Sequence, residues 1–148
     1  MFEILKTYVL TIVFSLTVFL LHSQANLSWD VLSDVSFEQQ QLDDSDAYWL
    51  VPTFGDIINL YDRQEIVIEG YLIVIDIQEN FCVLSRYPYT SCFFCGGAGP
   101  ETIVELSFEN QLEEVRMDQR VRIQGRLTLN KMDIEHFNYI ISDARIIN

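Results

Sequence analysis

Positive charge is scarce in this 148-residue chain, which has nine lysines and arginines against 22 aspartates and glutamates and a formal net charge of −13. Nucleic acids and anionic membrane surfaces bind proteins through clusters of basic side chains. Basic residues such as Arg116, Arg120, Arg122, Arg126 and Lys131 are scattered along the sequence. We therefore expect no nucleic-acid partner, and membrane contact only through an uncleaved leader.

Catalytic motifs are missing as well. The chain has no nucleophile elbow, and its glycine-rich stretch at 96–99 lacks the Gly-Lys-Ser/Thr ending of a phosphate-binding loop. No two carboxylates can be paired as acid and base from the sequence alone. These absences favour a binding or interaction module over a hydrolytic enzyme.

The amino-terminal apolar run, residues 7–21, is shorter than the roughly 20 residues that cross a bilayer comfortably. It follows Lys6 and ends near Ser23-Gln24-Ala25, which has the small residues that signal peptidase recognises. This layout predicts a cleavable signal peptide over 1–25 and export to the periplasm or the medium. The alternative is an uncleaved anchor, whereas the absence of a cysteine after the run disfavours a lipoprotein.

The rest of the chain has the size and composition of one folded domain. Apolar residues make up 49% of the sequence and aromatic residues 13%, which is enough to bury a single core. We divide it into an amino-terminal lead-in, residues 26–63, and a β domain, residues 64–148.

Alternating β-branched residues predict five strands in the β domain. The first is long and bends at Gly70, and the fourth contains Gly125. Glycine suits the close backbone approach at which a barrel strand kinks. The predicted strands cover 64–75, 81–85, 102–108, 120–129 and 137–141. Together they predict a mainly β fold, a five-stranded Greek-key barrel.

The lead-in is less regular. Ser28 precedes Trp29, Leu32 and Val35 at helical spacing, which predicts a short capped helix that packs Trp29 on the barrel. Residues 38–46 are polar and suit a linker or a weak helix, and residues 48–52 suit an extended segment ended by proline. Tyr48 and Trp49 in that segment favour packing, with a binding site as the alternative.

Several stretches of the chain resemble known groups of proteins. Residues 121–127 and 139–146 resemble the last two strands of OB-fold domains. The chain also resembles a family of small exported bacterial proteins of unassigned function. The resemblance is at Trp29, at Gly70-Tyr71 and in the run Ser91-Cys92-Phe93-Phe94-Cys95-Gly96-Gly97-Ala98-Gly99-Pro100-Glu101. The likeness implies no single activity, although it suggests periplasmic metal handling. Because the connection 109–118 is too short for a capping helix, we expect the amino-terminal helix to close the barrel.

Cys92 and Cys95 carry the clearest candidate chemistry. Their spacing before Gly96 permits a structural disulfide, two sulfur ligands on zinc or another transition metal, or thiol–disulfide exchange. An oxidising compartment favours the disulfide, and a glycine-rich continuation disfavours the helix that thioredoxin-like exchange uses. The partner that we expect for the protein is a metal ion or an envelope protein.

A metal would need further ligands, for which the candidates are Cys82, His136 and Glu101. A buried free thiol is the other interpretation of Cys82, and a solvated loop residue that of His136.

Overall fold

The computed structural model describes residues 25–41, 48–76, 78–79, 81–110 and 116–147. Its strands are β1 (Ala25–Asn26), β2 (Val35–Gln41), β3 (Tyr48–Phe54), β4 (Glu65–Asp76), β5 (Phe81–Ser85), β6 (Ile103–Phe108), β7 (Gln119–Leu129) and β8 (Tyr139–Ile147). Its helices are α1 (Trp29–Leu32) and α2 (Asp56–Asn59), and 3-10 turns cover Tyr89–Ser91, Phe93–Cys95 and Pro100–Thr102. Within these ranges no helix is long and apolar enough to cross a membrane. The signal-peptide prediction falls on residues 1–24, outside the described residues, and on Ala25.

Strands β4 to β8 form a closed five-stranded barrel, which confirms the predicted fold class. They follow the order β4-β5-β6-β8-β7, and β7 pairs with β4 to close the ring. Only β6 and β8 run parallel, and the other neighbours in the barrel are antiparallel. Because β6 and β8 run the same way, the loops that precede them arrive at the same end of the barrel.

The predicted strand bounds agree with the structure to within one residue except at the last strand. That strand begins two residues later than predicted and continues to Ile147. Residues 137 and 138 belong to the preceding loop instead, where the Phe137 amide donates to the Glu105 carboxylate rather than to a neighbouring strand. A side-chain acceptor on another strand thus sets this boundary.

Alternate residues of the five strands fill the barrel. The core residues of these strands are Ile66, Ile68, Leu72, Cys82, Leu84, Val104, Leu106, Val121, Ile123, Leu127, Tyr139, Ile141 and Ala144. A second, smaller cluster of Ile73, Val83, Cys92 and Ile103 lies outside the barrel. The side chains of Cys82 and Val83 therefore occupy different clusters, as the period of two predicts.

The lead-in closes one end of the barrel, as expected. Leu32 of α1 and Ile58 of α2 are fully buried in the barrel core. The Tyr139 hydroxyl donates to the Leu32 carbonyl at 2.6 Å, and burial raises the pKa of Tyr139, with the carboxylates of Glu101 and Asp34 adding to the effect. This bond ties the start of β8 to α1.

The predicted short helix is present as α1, but it ends at Leu32 and does not include Val35, which begins β2. Ser28 precedes the helix but makes no side-chain capping bond. Asp34, two residues after the end of α1, accounts for the end of this helix. Its carboxylate accepts the backbone amides of Ile57 and Ile58 at the start of α2. The Asp34 side chain therefore caps α2, because Gly55 at the N-cap position has no side chain.

The prediction of a linker or weak helix over 38–46 is wrong for residues 38–41. These residues belong to β2, which pairs with β3 along its whole length. Hydrogen bonds to β3 satisfy the backbone of β2 whatever its polar side chains are. Residues 42–46 lie outside the described residues, and β3 continues through Pro52 to Phe54 rather than ending at the proline.

Gly70 leaves room for Trp29 to pack against β4. The indole Nε1 donates to the Glu69 carbonyl at 2.7 Å, and a Cβ added to Gly70 would lie 2.9 Å from Trp29 Cζ2 and 2.7 Å from the Ser85 carbonyl oxygen. Trp29 therefore packs on the barrel as predicted, and glycine is required for that contact.

We predict that Gly70→Ala lowers the free energy of unfolding by about 1–3 kcal/mol, because the added methyl group must displace the indole or the backbone of β5. Urea denaturation followed by far-UV circular dichroism measures the change. Ser107→Ala, at an exposed position of β6, is the control and should stay within about 0.5 kcal/mol of the parent. Equal midpoints for the two variants would contradict the close contact at Gly70.

Candidate functional site

An open cleft of about 320 Å³ lies where three segments meet beside the barrel. The first is β3, through Trp49 and Leu50, and the second is the cysteine loop, residues 91–101, through Phe93 and Pro100. The third is the β7–β8 loop, residues 130–138, of which positions 133–138 line the cleft. The volume is at the lower end of the range for small-ligand sites.

A single side chain shapes the β7–β8 loop. The Asn130 amide donates to the carbonyls of Asp133, His136 and Phe137, and its Oδ1 accepts the amides of Met132 and Asp133. These local bonds replace strand pairing between β7 and β8. They fix the wall of the cleft without any regular secondary structure.

A buried carboxylate anchors the same loop to the barrel. Glu105 on β6 is 7% exposed, and it accepts the His136 Nδ1 at 2.8 Å and the Phe137 amide at 3.1 Å. The hydrogen bond and the charge of Glu105 raise the pKa of His136, and the carboxylates of Asp133 and Glu135 act in the same direction. An ionised carboxylate needs partners when it is buried, and the loop provides them.

Aromatic rings link the cleft to the cysteine loop. Phe137 stacks on Phe81 at 6.2 Å and meets Phe94 edge to face at the same distance. Phe94 in turn contacts Phe93 at 5.7 Å. The two residues between the cysteines are thus part of an aromatic cluster that continues into the β7–β8 loop.

Cys92 and Cys95 are brought together by a 3-10 turn. The Cys95 amide donates to the Cys92 carbonyl at 3.1 Å, and Gly96 ends the turn with a φ of 71°, which glycine adopts without strain. Cys92 is fully buried, whereas Cys95 is exposed and its thiol donates to the Tyr89 carbonyl. Partial desolvation and the Cys92 thiol beside it raise the pKa of Cys95.

The five predicted metal ligands do not form one site. Cys82 lies in the barrel core, where burial raises its pKa, and Glu101 lies near Tyr139 and folds over Gly99. His136 pairs with Glu105. In the part of the chain that the structure describes, no three His, Cys, Asp or Glu side chains are grouped to hold a metal, and Cys82, Cys92 and Cys95 are free thiols.

The arginines of β7 are less scattered than the sequence indicates. Arg120, Arg122 and Arg126 share the outer face of the strand, and Arg145 of β8 stands opposite Gln124. However, the facing strand β4 places Glu69 opposite Arg122 and Glu65 opposite Arg126, and Glu69 also pairs with Arg120. The face therefore carries both signs of charge.

Sequence reasoning missed Glu105 and considered Trp49 chiefly as a packing residue. The sequence does contain a signal for Glu105, which is a charged residue within the apolar run Ile103-Val104-Glu105-Leu106. A carboxylate that is buried with such a run requires a partner. Nothing in the sequence pairs it with His136, 31 residues away. The cleft depends on three segments whose proximity follows only from the fold.

No family model matches the chain, and no curated protein matches it. Among solved structures, the chain is similar to a DUF3299 family protein from Pseudomonas aeruginosa PAO1. The two are 14% identical with a TM-score of 0.53, and the match covers 85% of this chain and 97% of that chain. At this identity the likeness supports the fold alone. This structural similarity agrees with the resemblance of the sequence to bacterial proteins of unassigned function. It does not test the motif of the cysteine loop.

We predict that His136 titrates above its ordinary pKa of 6.5 and that this shift makes folding pH-dependent. The folded-state pKa is raised, so the stabilisation is complete below pH 6.5 and is lost as the pH rises through the folded-state pKa. Half of the imidazole is exposed, so the contribution stays below about 1 kcal/mol. NMR titration of the ring and urea denaturation across this range measure both effects.

Glu105→Gln is the matched variant for this titration, because it keeps the shape of the side chain and removes its charge. The pKa of His136 should fall in this variant, and the slope of stability against pH should flatten. A His136 pKa that is unchanged by Glu105→Gln would contradict the assignment of the shift to this pair.

We predict that alkylation of the native protein labels Cys95 at least about tenfold faster than Cys82 or Cys92, because only Cys95 is exposed. The rate at neutral pH should nevertheless be slow and should rise with pH, because the raised pKa keeps the thiol protonated. Mass spectrometry after a timed iodoacetamide pulse measures each site. Cys92→Ala should speed the labelling of Cys95, since it removes a group that raises the pKa, and equal labelling of all three thiols would refute the burial pattern.

Proposed function

We propose that this chain is an exported binding module whose recognition site is the cleft between β3, the cysteine loop and the β7–β8 loop. The observation that carries the proposal is the construction of the cleft. Its walls are largely apolar, and the β7–β8 loop is held in place both by Asn130 and by the buried Glu105. A preformed apolar cleft with a few convergent polar groups is the usual form of a ligand site.

The groups that catalysis would use favour binding instead. His136 is held by Glu105 through Nδ1 at 2.8 Å, and this contact fixes the β7–β8 loop. The raised pKa of Cys95 lowers the fraction of reactive thiolate. Both side chains are therefore better suited to structural roles.

The lining of the cleft indicates the chemistry of its ligand. Trp49, Phe93, Ile134 and Phe137 offer apolar and aromatic contacts, and the loop at the rim carries Asp133 and Glu135. The whole chain has a net charge of −13, so its field attracts cations over a longer range. We infer a ligand that combines an apolar group with a positive charge.

The contact between Cys92 and Cys95 supports a second candidate function. Two adjacent thiols can undergo thiol–disulfide exchange, and they can also supply two of the four ligands that zinc prefers. A metal-handling role would take the remaining ligands from a partner. Thiol–disulfide exchange and metal handling are less favoured than ligand binding, because Cys92 is buried and the pKa of Cys95 is raised.

Export is part of the same proposal and rests on the sequence alone. The signal-peptide layout ends at Ala25. The proposed site of action is therefore the periplasm or the medium.

We predict that protonated phenethylamine binds in the cleft with a dissociation constant of about 1–10 mM, as suits a fragment of this size. Amide shifts in 1H–15N spectra should be confined to residues 49–50, 93–100 and 133–138. Phenylacetate, which has nearly the same shape and the opposite charge, should bind several-fold more weakly because of Asp133 and Glu135.

Trp49→Ala should weaken the binding of phenethylamine at least about fivefold, because it removes one wall of the cleft. Tyr87→Ala is the matched control, since Tyr87 is an exposed aromatic residue that does not line the cleft. Shifts spread over the barrel, or equal affinities for the two variants, would refute the cleft as the recognition site.

A further inference from the structure

We infer that the cleft receives an extended polypeptide segment with alternating apolar and basic residues, which pairs with the free edge of β3. The inference rests on the proposed function, because it names the occupant of the same site. Three features of the structure carry it: the position of β3 in the cleft wall, the open edge of that strand, and the charge around it.

The cleft adjoins β3 at two neighbouring positions of the strand. Trp49 and Leu50 are consecutive residues of the strand, and both line the cleft. Consecutive side chains of a strand point to opposite faces of the sheet. A cleft that passes the edge of the strand, where the backbone N–H and C=O groups lie, contacts both residues.

That edge of β3 is open. The strand pairs with β2 from Tyr48 to Phe54, and among the described residues no other strand pairs with it. The strand is accessible at its start, where Tyr48 is 63% exposed and Leu50 39% exposed, and it becomes buried at Val51. Pro52 has no N–H, so it ends the surface available for pairing.

The accessible stretch is about three residues, or roughly 10 Å at about 3.3 Å per residue. A peptide that adds a strand to an open edge gains affinity from main-chain hydrogen bonds and specificity from the side chains that enter neighbouring pockets. On this edge, every second side chain of the peptide would face the rings of the cleft. These positions suit apolar residues.

The charge of the surroundings favours basic residues at the positions between them. Asp133 and Glu135 lie on the loop that faces β3 across the cleft. Asp133 accepts the Glu135 amide at 3.0 Å, which holds the two acidic residues on one short turn. The same acidic lining opposes a nucleic acid, the other extended polymer that a barrel of this class can bind.

Three capped hexapeptides that alternate isoleucine and lysine test the inference with the full chain. The first is unmodified, the second is N-methylated at every isoleucine, and the third at every lysine. Alternate N–H groups of a strand point to opposite edges, so one methylated set blocks the pairing edge and the other leaves it free. We expect one methylated peptide to bind about tenfold more weakly than the parent, and the other to bind within about twofold of it.

Equal binding by the two methylated peptides would overturn the inference, because a peptide bound through its side chains alone does not distinguish the two edges. Binding of phenethylamine in the cleft without binding of the unmodified hexapeptide would also overturn it, and would leave the proposed function standing. Failure of both ligands would refute the proposed function itself.

The charge requirement is tested by the double variant Asp133→Asn and Glu135→Gln. It should lower the affinity for the lysine-containing peptide at least about fivefold and leave that for a matched peptide with serine in place of lysine unchanged. Equal losses for the two peptides would overturn the assignment of charge recognition to this loop. Binding of an oligothymidine in the cleft in place of the peptide would overturn the choice of a polypeptide.

Discussion

The fold depends on β4, which pairs with β5 and β7 in the barrel and also with β1 at residues 66 and 67. β4 pairs with β7 through residues 65–72 and with β5 from residue 71 onward, so the two pairings overlap at residues 71 and 72. Gly70 permits β5 and Trp29 to approach β4 closely, because a side chain there would collide with both. Closure of the barrel, and with it the burial of the core, follows from this constraint.

Closure also determines where the candidate site lies. Because β6 and β8 are parallel neighbours, the cysteine loop and the β7–β8 loop reach the same end of the barrel. The lead-in then closes that end with α1 and adds β3 beside the two loops. The cleft is therefore a product of topology, and its three walls come from segments as far apart in the sequence as Trp49 and Phe137.

A few polar contacts make the site rigid while the surface stays strongly acidic. Glu105 is buried and offers two hydrogen-bond acceptors to a loop that has no strand pairing of its own. The cost of burying that charge is offset only while the loop stays in place. The same interaction thus stabilises the barrel wall and preforms the cleft, which links the stability of the fold to the geometry of the site.

The class of fold, the positions of most barrel strands and the packing of Trp29 on the barrel can be predicted from the sequence, because strand alternation and glycine placement are local signals. Tertiary contacts are needed to explain why residues 38–41 form a strand, since their pairing with β3 overrides a polar sequence with no pattern of its own. Tertiary contacts also place Cys82, Glu101 and His136 away from the turn that holds Cys92 and Cys95. Which side chains converge is set by strand order and register, and these depend on contacts between residues that the linear sequence keeps far apart.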